Sequence, residues 1–418
     1  MSSTTAIPAW RRQAGVLGLA CLILLVDGYD LFTLGTVGPS LVDYKPWGAT
    51  TSTVGLLGSV TAVGMPFGSA LAGWAGDRWG RRVPMAVAVI WVSASMLGAA
   101  LAPGLGFFAV VRFCTGIGIG ALAPLVGAFV TDSAPPHRRT LHLMVALGAL
   151  GIGGIASSLL GRLLLPDVHF QWLFLPGAVP VVIVPLIWRL VPAAPPPHEP
   201  ALAAARRNHV TQLLTPQFRR TSTLFWGATF MSMALVYSTS SWLPTVMVKA
   251  GYDLGSSLDF LMTFTMGAVV GGLVLAPIAD RGHLRIVTLG TFLLAAVALL
   301  VLSTPQPRPL LLVVSALAGL GSLGCQNMVA ACMTAFYPPH LRSTGLGVGL
   351  GVGRVGAMVG PTYLSAVTGA FDSPRAGFYA FMIPAVLGAS VIALLPRRFA
   401  PSSTEPAAPE AATTVVRP

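Results

Sequence analysis

Charge is what this chain has least of. Only 9% of its 418 residues are Asp, Glu, Lys or Arg, with 13 acidic side chains against 25 basic ones. An ordinary soluble domain carries roughly a quarter charged residues, so a water-soluble enzyme or binding module is excluded. Cysteine is scarce as well. Cys21, Cys114, Cys325 and Cys332 all lie in apolar segments with no C-x-x-C or paired spacing. They read as small buried apolar side chains, not as a disulfide framework or a metal site. The histidines show no ligand spacing, so neither metal nor cofactor is expected. No nucleophile motif or Walker-type loop appears either, which leaves ATP-driven pumping and hydrolytic catalysis without support.

What the chain has is apolar length. Hydrophobic residues make up 54% of it and mean hydropathy is +0.77. A net charge of +12 and a pI near 10.4 would suit a nucleic-acid partner. The bases, however, fall in short clusters between apolar runs, the pattern of a polytopic membrane protein. The expected surroundings are a lipid bilayer, with no nucleic acid.

Apolar segments run near 14–38, 54–75, 84–102, 107–131, 141–164 and 170–190, then 222–247, 258–279, 284–303, 309–333, 343–370 and 376–396. Each approaches or exceeds the roughly 20 residues that cross a bilayer. Arg11 and Arg12 before the first segment mimic a signal peptide, but the stretch is long and lacks a cleavage site, so a retained first helix is expected. Residues 1–190 and 222–399 are read as two six-helix bundles, 191–221 as a Pro/Ala/Arg-rich cytoplasmic linker, and 400–418 as a disordered cytoplasmic tail. With the termini inside, 18 of the 25 bases fall on the cytoplasmic side and 5 outside. The expected location is the inner (plasma) membrane, multi-pass, with both termini cytoplasmic.

The two sets repeat at an offset of 203. Pro135-Pro136-His137-Arg138-Arg139-Thr140 returns from Pro338 to Thr344, Asp77-Arg78 returns as Asp280-Arg281, and Gly116 and Gly118 return as Gly319 and Gly321. A duplicated six-helix unit with a site at the midplane is a transporter architecture. Charges that break the repeat are the ones the unit does not need for folding. Asp27 and Asp30 align with Phe230 and Met233, Arg112 aligns with Ser315, and Arg354 aligns with Gly151.

These charges carry the functional reading. A carboxylate at the depth of Asp27 costs on the order of 3 kcal/mol on insertion scales, so it must face protein or a water-filled cavity. Asp27 and Asp30 share a helix face and suit proton uptake and release. Arg112, just within span four, either pairs with Asp27 or Asp30 or snorkels to the outer interface. Arg354 either docks an anionic substrate in two hydrogen bonds or forms a structural pair. Tyr29, Phe32, Gln326, Asn327 and the run from Tyr237 to Trp242, with Ser238 and Trp242, are softer substrate-site candidates. Between spans two and three, Gly73, Asp77, Arg78, Gly80, Arg81 and Arg82 form a cluster that can latch the two halves. Asp132 is either its partner or a helix cap.

At these residues the chain resembles the major facilitator superfamily, and more narrowly the aromatic acid:proton symporter family. The resemblance rests on Asp27-Gly28-Tyr29-Asp30, the 73–82 loop, Arg112 with its glycine ladder, Ser241-Trp242-Leu243-Pro244-Thr245, and Tyr337-Pro338 through Arg342 to Gly353-Arg354. It implies an all-α membrane protein with twelve transmembrane helices in two pseudo-symmetric six-helix bundles. It also implies that Arg138, Asp280, Arg281 and Arg342 join the gating set, and that Asp27 and Asp30 serve proton coupling. The implied activity is not enzymatic. It is proton-coupled import of a small aromatic carboxylate of the hydroxybenzoate, benzoate, protocatechuate or phenylpropionate type, by a monomer using alternating access. The alternative is proton-driven efflux of drugs or aromatic compounds, whose span-five G-x-x-x-G-P pattern is missing here. A receptor or scaffold of the same fold lacks the large soluble insertions it would need. One departure is the loop between spans eight and nine, Asp280-Arg281-Gly282-His283-Leu284-Arg285, which is less basic than the 73–82 cluster.

Overall fold

The computed structural model describes residues 9–133, 139–165, 167–191, 210–278, 283–371 and 373–396. Among them run twelve long helical segments. The first set is α1 (Ala9–Asp43), α2 (Thr51–Trp79), α3 (Arg82–Ala100), α4 (Leu105–Ser133), α5 (Arg139–Leu164) and α6 (Val184–Leu190), the last extended backwards by a 3-10 helix over Phe170–Ile183. The second set is α7 (Arg219–Lys249), α8 (Leu254–Ile278), α9 (Leu284–Leu302), α10 (Arg308–Phe336), α11 (Pro339–Ala370) and α12 (Pro374–Ala393). Pro176 and Pro180 lie inside the 3-10 stretch. Each removes a backbone donor, which breaks the α-helical ladder there.

Ten of the segments are long and apolar enough to cross a membrane; α7 and α11 fall outside that set. Their position permits a less apolar composition. α7 packs on α1 and α11 packs on α2, so both line the seam between the two sets. A helix facing protein can carry the serines, threonines and glycines that a lipid-facing helix cannot. Large apolar side chains such as Leu71, Val87, Val110, Val274, Val297 and Val313 are exposed on other helices, as a hydrocarbon surrounding requires.

The repeat holds at the level of single contacts. A Cβ on Gly64 of α2 would meet the backbone of Phe113 on α4, and one on Gly267 of α8 would meet Ala316 on α10. Gly116 abuts the Thr61 backbone and Gly319 abuts that of Phe264. All four residue correspondences lie at the offset of 203. Close backbone approach at small residues is how membrane helices gain van der Waals contact where no hydrophobic drive exists.

A second repeated contact concerns the loops. Arg82 donates from Nε to the Val191 carbonyl at 2.7 Å, and Arg285 donates to the carbonyls of Ile392 at 3.3 Å and Ala393 at 2.5 Å. Each arginine opens the third helix of its set and closes the C-terminus of the sixth, satisfying carbonyls that have no intrahelical partner. In this structure Arg82 clamps its own bundle and does not reach across.

The linker reading also shifts. Leu213 is fully buried in the core of the second set, so the end of 191–221 is docked. α7 begins at Arg219, three residues before the expected span. All four cysteines are free thiols.

Candidate functional site

α1 approaches α5 most closely at Gly28, where a Cβ would overlap the Leu150 backbone, and Gly153 reciprocates against Leu25 and Tyr29. That contact fixes the rotation of α1 and so decides where its acids point. Residues three apart differ by about 60° around a helix. Asp30 points to α4. Asp27 points to the seam.

Asp30 is fully buried and held by both arms of Arg112: Nη1 bonds Oδ1, and Nη2 donates to Oδ2 at 3.2 Å. Arg112 Nε donates to Thr61 Oγ1 at 3.2 Å, and the guanidinium lies over the Phe174 ring, 5.9 Å from its centroid. The Thr61 hydroxyl in turn donates a hydrogen bond to the Leu57 carbonyl at 2.9 Å. Arg112 therefore pairs with Asp30 and does not snorkel. A fork-to-carboxylate pair whose Nε–H also has an acceptor is the arrangement under which a buried pair holds together.

Asp27 is 5% exposed and belongs to none of the ion pairs among the described residues. The charges acting on it are Arg354, from α11 across the seam, and Asp30. Arg354 is half-buried, and its Nη1 lies 2.7 Å from the Met65 Sδ of α2. Tyr237 of α7 donates to the same sulfur at 3.5 Å. Asp27, Met65, Tyr237 and Arg354 thus converge from four helices on the seam, with Asp30 and Arg112 directly behind.

The softer candidates separate. Tyr29 points away from this group, donating to the Leu173 carbonyl at 2.7 Å inside the first core. Phe32 is fully buried in the second core, where it pins α1 against the other set. The Ser238 hydroxyl folds back on the Ala234 carbonyl at 2.6 Å. Trp242 is fully buried beside Gly55 of α2, its indole N–H without a partner among the described residues. Gln326 and Asn327 are half-buried on α10, and no described residue bonds their amides.

The gating set divides as well. Gly80 adopts φ +72°, a conformation that favours glycine, and so turns the chain between α2 and α3. Arg78 lies over its own Trp74 ring at 5.8 Å, Gly73 and Arg342 are exposed, and Arg81 sits at the start of α3. Arg138, Asp280 and Arg281 lie outside the described residues, as do the side chains of Asp77 and Asp132.

Cross-seam bonds among the described residues concentrate at the other end, away from the start of α1 and the end of α12. Arg162 of α5 and Arg308 of α10 both bond Asp259 of α8, Arg308 at 2.5 Å. Ser59 of α2 bonds Thr362 of α11, and Lys249 of α7 lies 3.5 Å from the Thr51 hydroxyl of α2. The backbones of Gly35 and Ser240 also meet there. This distal closure was missed in the sequence because Arg162, Asp259 and Arg308 look like ordinary span-end charges. The half-specific test would have found them, since at the offset of 203 they align with Ser365, Leu56 and Leu105. Met65 and Thr61 offered no charge signal at all.

With this geometry in hand, the likeness to known proteins is coherent. The family model described as Major Facilitator Superfamily matches residues 20–361 and again 259–418. The benzoate transport protein of Acinetobacter baylyi is 31% identical over 98% of this chain and 94% of its own length. The gentisate transporter of Corynebacterium glutamicum is 32% identical over 93% and 88%. A crystal structure of a D-xylose-proton symporter superposes with a TM-score of 0.77 at 15% identity, covering 93% of this chain and 99% of that one. The fold is therefore that of twelve membrane helices in two pseudo-symmetric six-helix bundles. The molecule is a multi-pass membrane transporter, not an enzyme, and the chain belongs to the Major Facilitator Superfamily.

Proposed function

We propose that the protein imports a small aromatic carboxylate together with protons, by alternating access. The observation that carries the reading is a buried acid and a base from opposite bundles at one seam: Asp27 is 5% exposed, Arg354 reaches across to Met65 Sδ, and neither belongs to an ion pair among the described residues. The relatives named as benzoate and gentisate transporters support the substrate class, and the neighbour titled a proton symporter is consistent with coupling.

In this mechanism Asp27 carries the proton. Asp30 and Arg112 form the fixed charge pair that sets its surroundings, a division of labour the shared-face reading did not anticipate. With Asp27 protonated, Arg354 loses its acidic neighbour and is the better host for a substrate carboxylate. With Asp27 ionised, Arg354 is drawn to Asp27 and the substrate is released. A carboxylate and a proton are thereby bound together or not at all, which is the logic of linkage between two ligands. Residues 1–190 and 222–399 rock about this site, the 73–82 cluster with Asp132, Arg138, Asp280, Arg281 and Arg342 closing the cytoplasmic side and the Asp259 network closing the outer one. Both termini lie in the cytoplasm, the membrane is the inner (plasma) membrane, and the working unit is a monomer.

The test is uptake of radiolabelled benzoate into proteoliposomes with an alkaline lumen. Wild type should accumulate it and a protonophore should abolish accumulation. Asp27→Asn should lose accumulation and keep benzoate:benzoate exchange. Accumulation by Asp27→Asn equal to wild type would remove the coupling assignment. Filling only of acid-loaded vesicles would mean efflux.

A further inference from the structure

Two donors from the second bundle meet on one sulfur of the first. Arg354 Nη1 lies 2.7 Å and the Tyr237 hydroxyl 3.5 Å from Met65 Sδ. A thioether is a weak acceptor. A half-buried guanidinium and a phenol aimed at it are poorly matched, whereas a carboxylate would receive both as charge-assisted hydrogen bonds. None of the three residues is required by the six-helix unit: at the offset of 203, Met65, Tyr237 and Arg354 align with Ala268, Leu34 and Gly151.

The surroundings suit a flat apolar body. Ala62, Met233 and Ala357 form a small separate core at this point of the seam, with Tyr237, Leu350 and Met358 packed on it. Methionine side chains are flexible and make favourable contacts with aromatic rings, so this lining can refit around rings of different substitution.

We propose that Met65 is a displaceable stand-in for the substrate carboxylate, and that Tyr237 is the second residue, beside Arg354, that binds it. In the loaded protein the carboxylate takes the place of Sδ, accepting from Arg354 and from the Tyr237 hydroxyl. The Met65 side chain swings aside to lie with Met233 and Met358 against the ring. Tyr237 then selects for a carboxylate head, and the methionines tolerate variation in the ring. This inference rests on the aromatic-acid reading above and adds to it the residues that recognise the acid.

The test is equilibrium binding of benzoate to the purified full-length protein by calorimetry, with acetate and benzamide as companion probes. Tyr237→Phe removes one hydrogen bond to a charged group and should weaken benzoate binding about tenfold or more. Met65→Leu, of similar volume, removes the competing sulfur and changes the ring contact alike for both ligands, so it should raise the ratio of benzoate to benzamide affinity several-fold. Melting temperatures of both ligand-free variants should match wild type. Benzoate bound by Tyr237→Phe as tightly as by wild type overturns the subsite and leaves the transport reading standing. A benzoate-to-benzamide affinity ratio that Met65→Leu leaves unchanged or lowers does the same. Acetate binding that depends on Tyr237 and Met65, with no benzoate binding, removes the aromatic reading and keeps the carboxylate subsite. Binding of none of these acids by wild type removes both.

Discussion

Asp259 of α8 binds Arg162 of α5 across the seam between the two bundles, and the same carboxylate holds Arg308 of its own bundle. The acid is 6% exposed, while the arginines are 45% and 50% exposed. Removing the acid therefore leaves hydrated cations, not buried ones, and the loss is modest: about 1 kcal/mol, on the scale of a partly exposed pair. That still moves a two-state equilibrium roughly fivefold. Asp259→Asn should raise the population open at the distal end. The measurement is the rate at which an impermeant maleimide, added from that side, labels Ser59→Cys in a background lacking the four native cysteines. Equal labelling rates with and without Asp259→Asn would count against the network as a gate.

The Ser59–Thr362 contact lies eight residues beyond Arg354 along α11, about 12 Å toward the distal end. A Ser59→Cys/Thr362→Cys pair in the same background should cross-link under mild oxidation and halt benzoate transport, with reductant restoring it. Transport that persists in fully cross-linked protein would show that this seam does not open in the cycle.

Asp27 and Asp30 should part company in stability measurements. Asp30→Asn leaves Arg112, 2% exposed, without its counter-charge, and breaking such a buried pair costs about 3–5 kcal/mol. Its melting temperature in detergent should fall by many degrees. Asp27→Asn removes a group with no ion pair and should melt near wild type while losing pH-driven accumulation. Equal losses of stability would mean that both acids are structural.

Gly28 is the pivot of α1. A valine there has no room against the Leu150 backbone, so α1 and α5 must separate. Gly28→Val should give little monodisperse protein on size exclusion, whereas Gly18→Val, at a position with open space, should behave as wild type.

Asp253 caps α8 just ahead of Asp259. Its carboxylate accepts from the Ser256 backbone N–H at 2.9 Å, and the Ser256 side chain and backbone hold its pKa below the ordinary 3.8. A depressed carboxylate stabilises the fold above its unfolded pKa and loses that contribution as pH falls through the folded value. Asp253→Ala should therefore lower the melting temperature at neutral pH, by an amount that shrinks once the pH is brought below the ordinary carboxylate range. A difference that does not shrink would assign the effect to something other than the cap.

The sequence by itself determined the spans, the internal repeat and the charges that occur in one half only, Asp27, Asp30, Arg112 and Arg354. Apolar length can be counted, and a buried charge in a membrane is so costly that its presence in one half only marks it as retained for use. The offset of 203, found in loop motifs, recurs at the Gly64 and Gly267 contacts because a duplicated chain packs its copies alike. Tertiary structure alone decided which acid pairs with Arg112, because 60° of rotation about α1 separates the two and that rotation is set by the contact of Gly28 with α5. It alone brought Met65 and Tyr237 to Arg354, since a neutral thioether carries no signal in the sequence until another helix aims a cation at it. It alone joined Arg162, Asp259 and Arg308 into a distal closure: the offset marks them as present in one half only, but a charge at a helix end reads the same whether it faces headgroups or a partner on the opposite bundle.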